Sequence, residues 1–555
     1  MKKFFFNYEK KIINDPQTKK DFLKISNFEK KKYRKYSKIL GLRLNLIHNE
    51  GYKVKFWQKM MFYFLLIHIS QCYRIYKSSN QIKKIKNLKY AKFKKFYIPD
   101  TQSEHREFFQ RSYLGQEKIF STLVEYLKIK YSVQKIYKNN ILKKTKTTKV
   151  KYKFKFNFVF LRIFNFFLKI IKKPSVLVSK CYWSEESRQR IKFDFLGKIK
   201  IHNFYLPTIK DTSISIESRR YLSETSKKFD NFDKFFFKTL SYSFPKSFLE
   251  NFKLRKKYTL NFINQKKLEK IKYILNESLD EDNLLLNALS SEKNIKNIYT
   301  EHNFLHHPFV GSHLDLILEN FDKYITSGWL IKNNKKIIKG GSHSHVFKFP
   351  STKKNKKQQI LFVSGILECR APFATSMYGE FGFKASKTTV ENMNIFFSNL
   401  NNYNKNKIMI KQHPLSLDKN YSNYNFMDKK VFNNKNLIKG KKKFIHFLQN
   451  TKLVILPYYS TPFLQSILFN VPTVVFLNQN SYFLKKEYST YFDDFYKTGI
   501  LQKSAVSASK FVNKISQDPY KWWYKHDVQK ARNKFLKENI NNVDFEMTLS
   551  KLIKN

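Results

Sequence analysis

Three short runs of this sequence carry residues able to hold an activated, anionic ligand and move a proton. Pro457-Tyr-Tyr-Ser-Thr-Pro462 sets the hydroxyls of Ser460 and Thr461 ahead of a proline and an apolar run. A hydroxyl there caps a helix, proline suits the first turn, and the free backbone N–H groups of that turn attract an anion. An ordinary cap without a ligand has the same spelling. Lys411-Gln-His-Pro414 ends an apolar run with a cation and the imidazole of His413; a solvated lysine and a structural histidine would read alike. Glu301-His-Asn-Phe-Leu-His-His307, followed by Gly311, offers a carboxylate and three imidazoles. His302 and His306 stand four apart, which suggests zinc, but Asn303 and Pro308 disfavour a helix there and no HExxH is present. A loop contacting sugar or phosphate through Asn303 and Gly311 fits better, with His306 or His302 as general base and Glu301 beside them.

Weaker candidates have plainer explanations. Asp280-Glu-Asp282 has the DxD spelling of metal-dependent sugar transferases, yet it precedes an apolar helical run and reads as negative charge at a helix start. Gly340-Gly-Ser-His-Ser-His345 follows no clear strand and reads as a boundary turn. No GxxxxGK[ST], GxGxxG or GxSxG occurs.

The elements that position these runs are clearest after residue 358. Gln359–Ser364, Lys407–Lys411, Leu453–Leu456 and Val474–Leu477 are short apolar strands. Helices at Thr389–Leu400, Phe444–Gln449 and Pro462–Phe469 alternate with them. Strand, polar turn and helix in repetition define an open parallel sheet, whose ligands bind at the C-terminal strand ends. Earlier, Val176–Val178, Ile271–Leu275 and Ile295–Tyr299 are strands, with a helix through Asn283–Leu289. Ile39–Leu46 and Phe56–Tyr76 carry apolar residues on a helical period. The expected divisions are a helical region 1–127, a Rossmann-like domain with a basic insertion 128–331, a Lys/Asn-rich linker 332–357, a second Rossmann-like domain 358–520, and closing helices 521–555.

The net charge of +65 over 555 residues points to nucleic acid or an anionic membrane surface. The excess is Lys rather than Arg, and Asn, Ile, Phe and Tyr are inflated with it, which is the imprint of AT-rich codons. That bias accounts for much of the charge and disfavours a dedicated nucleic-acid function. Lys151-Tyr-Lys-Phe-Lys-Phe156 has the basic–aromatic interleaving of single-strand binders, but equally that of a strand with one solvated face. Three scattered cysteines suit a reducing compartment. Met60–Ile69 and Phe158–Phe167 fall short of the ~20 apolar residues of a membrane span.

From Leu453 to Phe476 the chain resembles a family of transferases from bacterial O-antigen and surface-polysaccharide gene clusters, related to GT-B glycosyltransferases. Further matches follow in order: Leu44-Asn45 with His48, Phe56-Trp57, Tyr73-Arg74, Phe244 to Glu250, the Glu301–Gly311 loop, Asp322 to Trp329, Tyr491-Phe-Asp493, Gly499-Ile500, Trp522-Trp523 and Val528 to Arg532 with Phe535. The resemblance implies an α/β GT-B-like fold, with two Rossmann-like domains facing a cleft and a helical N-terminal region. It implies a metal-independent glycosyltransferase using a nucleotide sugar in lipopolysaccharide or other surface-polysaccharide assembly, with no cofactor. Ser460, Thr461 and Gln465 would contact the donor, with Lys411 and His413 at its phosphate. Relatives carry Leu-Glu where this chain has Leu464-Gln465; Gln still hydrogen-bonds but is uncharged. The family also implies a Trp- and Cys-containing opening stretch that this sequence does not show. A lipid-linked or glycan acceptor and a cytoplasmic location, peripheral to acidic lipid, complete the expectation. The alternatives are a nucleotide-sugar epimerase or hydrolase of the same fold, or a basic nucleic-acid-binding protein.

Overall fold

The computed structural model describes residues 18–93, 96–111, 113–129, 132–137, 174–181, 183, 185–195, 198–207, 209, 212–265, 268–301, 308–310, 313–340, 359–364, 382–412, 436–438, 444–459, 461–477, 482–540 and 545–554. A long helix, α1 (Lys19–His48), opens them on a capping box between Thr18 and Asp21. It stops at Asn49, in the left-handed region at φ 54°. Its 30 residues span about 45 Å, and Phe22, Ile25, Tyr33, Tyr36, Leu40 and Leu44 recur on one buried face. The apolar run expected as one helix over Phe56–Tyr76 is two: α2 (Val54–Met60) and α3 (Phe62–Tyr76), broken at Met61.

The region expected to be purely helical also holds a small sheet. β1 (Leu88–Phe93) pairs in parallel with β2 (Ser132–Tyr137). Helix α4 (Tyr113–Tyr126) follows a π-helical turn at Arg106–Arg111. Gly115 lets α4 approach that turn: an added Cβ would lie 2.3 Å from the Phe108 carbonyl oxygen. Backbone cannot yield as a side chain does. We therefore expect Gly115→Ala to lower unfolding free energy by about 3 kcal/mol, measured by thermal denaturation.

The first large sheet contains β3 (Val176–Lys180), β4 (Ile199–Ile201), β5 (Tyr273–Asn276), β6 (Lys296–Thr300), β7 (Lys323–Thr326) and β8 (Ile337–Lys339), all parallel, in the order β4-β3-β5-β6-β7-β8. β8 comes from the stretch read as a linker. Helices α5 (Ile216–Ser223) and α6 (Asn231–Ser243) pack on each other and on the N-terminal helices α1, α3 and α4, while α7 (Phe252–Gln265) packs on α8 (Glu281–Glu292), which lies against β6. The second sheet contains β9 (Gln359–Val363), β10 (Ile408–Lys411), β11 (Thr451–Leu456), β12 (Thr473–Phe476) and β13 (Leu501–Gln502). Its order is β10-β9-β11-β12-β13, again all parallel. Strands such as Ile360–Val363 and Leu453–Leu456 are buried along their length, as helices on both faces require. These two Rossmann-like sheets with a helical N-terminal region make the architecture α/β and GT-B-like.

Helix α9 (Thr461–Leu468) follows β11. The closing helix, α10 (Phe545–Lys554), returns to the first sheet, where Phe545, Leu549 and Leu552 join Val176, Val178, Ile298 and Ile325 in one buried cluster. No described helix is long and apolar enough to cross a membrane. The basic–aromatic run 151–156 lies outside the described residues.

Candidate functional site

Both large sheets share one topological device. The second strand in sequence sits outside the first, and the third lies on the first strand's other side. Successive crossovers therefore leave in opposite directions and open a crevice at the C-terminal strand ends, the usual ligand position in such sheets. In the second sheet this point lies between β9 and β11. β9 runs into Ser364, β11 runs into Pro457–Tyr459, and α9 begins at Thr461. Lys411 ends the neighbouring strand opposite Val363, two ladder spacings from β11, or about 10 Å. Three of the sequence candidates thus stand at this crevice, Lys411 on one strand end and Thr461 and Gln465 on the helix that follows β11. Ser460 and His413 lie outside the described residues.

The local chemistry is dry. Lys411 is buried, its ammonium 5.3 Å from the centre of the Phe447 ring and 3.4 Å from the Gln412 carbonyl, to which it donates. Burial lowers its pKa. The hydroxyls of Ser364 and Tyr459 are buried without hydrogen-bond partners, although most buried polar groups in folded proteins are paired. Burial pushes the Tyr459 phenol well above its ordinary value, with Tyr488 and Glu301 adding to the shift. Gln465, one turn into α9, is 8% exposed. At the other end of α9, the Arg532 guanidinium donates to the carbonyls of Ile467 (2.5 Å) and Leu468 (3.2 Å). A cation there complements the helix dipole.

The loop after β6 reaches across to the second sheet. Its root is Glu301, whose Oε2 accepts the Ser327 N–H, the Ser327 hydroxyl and the Trp329 indole N–H, each at 2.8 Å. The carboxylate therefore braces the turn after β7. At the loop's far end, Val310 N–H donates to the Phe483 carbonyl and Lys485 N–H to the Pro308 carbonyl, both at 2.9 Å. The Phe309 ring packs edge-on against Tyr459, Tyr482 and Phe492. His302, Asn303, His306 and Gly311 lie outside the described residues, in the stretches next to these two posts.

Two groups here escaped sequence reasoning. His313 Nε2 lies 3.4 Å from Glu29 Oε2 of α1, both side chains buried. Neither has a hydrogen-bond partner. Glu29 is a helical residue far upstream, so no local motif marks the pair. Lys485 follows β12; burial lowers its pKa to about 8, partly opposed by Glu487, Asp315 and Glu301.

Burial raises the Glu301 pKa from 4.5 to about 7, against its three donors and Lys485. Between those values the folded chain holds a proton that the unfolded chain has released. The resulting stabilisation is complete below pH 4.5 and is lost as pH rises through about 7. Calorimetry should show this decline in the parent. The parent-minus-variant difference from Glu301→Gln should carry the slope, because the variant does not titrate.

The first sheet has its own crevice, between β3 and β5, and a cleft of about 560 Å³ opens there. Lys180, Glu277, Asp280, Gln102, Arg106 and Tyr299 are among its walls. The ladder shifts register just before Lys180, leaving Ser179 as the extra residue of a bulge. Ser179 Oγ, both side-chain polar atoms of Asn276 and Gln102 Oε1 are buried without hydrogen-bond partners. The Asp280–Asp282 run builds one wall. Asp280 caps α8 through the Asn283 N–H (3.2 Å) and meets the Lys180 ammonium at 2.9 Å. Burial would raise the Asp280 pKa, but Lys180, Ser278 and Asn283 outweigh it and the value falls. Glu281 accepts the Gln102 N–H, and Asp282 accepts from Arg255 at 2.6 Å. Among the described residues, no group of three or more His, Cys, Asp or Glu is placed to hold a metal ion.

Comparison with solved structures finds faint likenesses. The wall teichoic acid polymerase TagF is 11% identical, covering 69% of this chain and 88% of that one, with a TM-score of 0.32. UGT89C1 of Arabidopsis thaliana, complexed with quercetin, is 9% identical over 71% of this chain and 95% of its own, with a TM-score of 0.35. The S. aureus MnaA–UDP structure is 12% identical over 54% and 80%, with a TM-score of 0.32. At these values the likenesses carry no functional assignment. No curated protein matches by sequence. One family does match, from end to near end: over residues 2–553 the chain corresponds to the LIC12162 family transferase, and it belongs to that family of transferases.

Proposed function

We propose that this transferase moves a sugar from a nucleotide-activated donor to a lipid-linked or glycan acceptor in the assembly of surface polysaccharide, without a metal or cofactor. The observation that carries the reading is the pair of crevices. Two sheets of the same strand order each open one, and the loop from β6 joins the first sheet to the turns that frame the second. The donor lies in the second crevice, its sugar against Ser460, Thr461 and Gln465 and its diphosphate near Lys411 and His413. A buried ammonium in a dry site stabilises leaving-group charge far better than it would in water. The acceptor lies in the 560 Å³ cleft of the first sheet, and His306 or His302 removes the proton from its attacking hydroxyl. Glu301 holds the root of that loop, and Asn303 and Gly311 contribute to substrate binding. The enzyme works at the cytoplasmic face of the membrane.

The test is product analysis by mass spectrometry after incubation with a panel of nucleotide sugars and lipid-linked acceptors. A glycosylated acceptor supports the reading. An epimerised nucleotide sugar, or free sugar with no transfer, assigns the fold to the alternative chemistry instead.

A further inference from the structure

We infer that the segment 212–216 and the outer face of α7 form a docking surface for an anionic lipid bilayer beside the mouth of the first-sheet cleft. Four large apolar side chains are exposed there, Ile214 at 46%, Ile216 at 80%, Leu254 at 40% and Tyr258 at 41%, and Tyr205, 61% exposed, lies under the ammonium of the cleft residue Lys180. Single exposed apolar residues are ordinary, but a cluster marks a contact surface.

Two hydrogen bonds bring the separate stretches together. Ser215 N–H donates to Glu250 at 3.3 Å, and Thr212 donates to Asn251 at 2.8 Å. Residues 212–216 are thereby fastened at the start of α7, within a turn of Leu254. The inner face of α7 (Phe252, Arg255, Thr259 and Ile263) is buried, which leaves Leu254 and Tyr258 facing outward. Ile216 opens α5, whose cap Ser215 accepts the Ser218 N–H. A helix start fixed at both sides holds its aliphatic side chain in solvent without any local need for it.

The charge around these residues selects the occupant. Lys253 and Lys257 are exposed on the same face of α7, and Arg220 is exposed one turn after Ile216. Glu217 is an exposed acid beside Ile216, while Glu250 is taken up by the Arg219 guanidinium at 2.7 Å. Apolar side chains ringed by cations suit the headgroup boundary of an anionic membrane, where the aliphatic groups enter the acyl layer and the cations meet phosphate. The surface also continues into the cleft: Leu206, Pro207, Asn251 and Arg255 line the cleft and are sequence neighbours of the exposed residues. A lipid-linked acceptor would then reach the cleft without leaving its bilayer. This inference rests on the membrane-facing part of the proposed function and not on its transfer chemistry, so its deciding readout, vesicle binding, needs no substrate.

The experiment is co-sedimentation of the full chain with vesicles of phosphatidylcholine alone and of phosphatidylcholine with one-third phosphatidylglycerol. The parent should bind the anionic vesicles and release them at high salt. Ile214→Glu/Ile216→Glu should weaken that binding more than about tenfold. Ile395→Glu, which replaces an aliphatic residue 41% exposed on the helix Gly382–Ser398 after β9, should not. A soluble, short-chain acceptor should be glycosylated equally by parent and double variant. Loss there as well would indict the fold of the variant, which circular dichroism and melting would show. Equal vesicle binding by parent and double variant overturns the inference, as does failure of the parent to bind. So does a parent that dimerises through this face and ignores vesicles, which would make the surface a contact between two copies.

Discussion

If the proposed transfer is right, a His306→Ala variant should transfer sugar about 10²- to 10⁴-fold more slowly than the parent, with an unchanged melting temperature. The expectation follows from what surrounds the loop. Its root is braced at Glu301 by three hydrogen bonds, and residues 308–310 are pinned to 483–485. Side chains between such posts can be held for chemistry without contributing much to stability. His302→Ala in parallel decides which imidazole is the base: of the two variants, only the one that lacks the base should lose the acidic limb of the pH–rate profile. Lys411→Ala acts on the other crevice, removing the charge proposed to face the departing diphosphate, and should cost about 10²-fold in kcat/KM. The readout is steady-state transfer to a purified acceptor. Full activity in both His306→Ala and Lys411→Ala would sink the assignment.

The second large effect is structural. Replacing Asp233 by Ala should remove about 3–5 kcal/mol of unfolding free energy, because it strands a buried cation. Asp233 is fully buried and joins α6 to α1: Oδ1 accepts the Lys32 ammonium at 2.5 Å and the Tyr36 hydroxyl at 2.7 Å, and Oδ2 accepts Lys35. It also completes the capping box of α6 with Asp230. Lys32 is enclosed by the rings of Phe28, Tyr36 and Phe232, so without Asp233 only the more exposed Asp230 remains to balance it. Burial pushes the Asp233 pKa up, but Lys32, Lys35 and Tyr36 pull it down to about 2. Its contribution is present above pH 3.8 and is lost as pH falls through about 2. Urea unfolding at neutral pH measures the loss; a change under 1 kcal/mol would show that the network is not holding α1.

What could be read from the sequence depended on how continuous the signal was. Val454–Leu456 and Ile360–Val363 announce themselves as buried strands because helices cover both faces, so every residue is apolar. β1 did not: Leu88-Lys-Tyr-Ala-Lys-Phe93 alternates with lysine, and its partner, Ser132–Tyr137, lies in a stretch that composition marks as a basic connector. β8 is three residues in a Lys/Asn-rich run, too short for any period to show. The Asp280–Asp282 triplet was legible as a helix start, but not in its ties to Gln102 and Arg255, because those partners come from distant segments. The same reason hid the cleft, whose walls come from residues near 100, 180, 206, 251 and 280. It also hid His313, whose imidazole gains its significance only once α1 places Glu29 beside it. Motif reading finds loops that carry their own chemistry; it does not find sites assembled by topology.

Helix α1 bears on how the chain reaches this state at all. It is the first described element to be synthesised, yet several of its contacts lie far downstream: Lys32 meets Asp233 across 201 residues, Arg34 meets Glu319 across 285, and Lys19 donates to the Leu484 carbonyl across 465. At roughly 5–20 residues per second, α1 leaves the ribosome about 20–90 s before Leu484 exists. α2 and α3 follow at once and cover part of its apolar stripe, Tyr33 meeting the Gln58 carbonyl and the Phe62 ring, while the partners at Asp233, Glu319 and Leu484 are still to come. The second sheet, whose strands follow one another closely, can assemble as soon as it emerges; the first waits also for α10, the last described helix to be made. The long-range ties of α1 therefore close from the C-terminal side, after α2 and α3 have already packed on it.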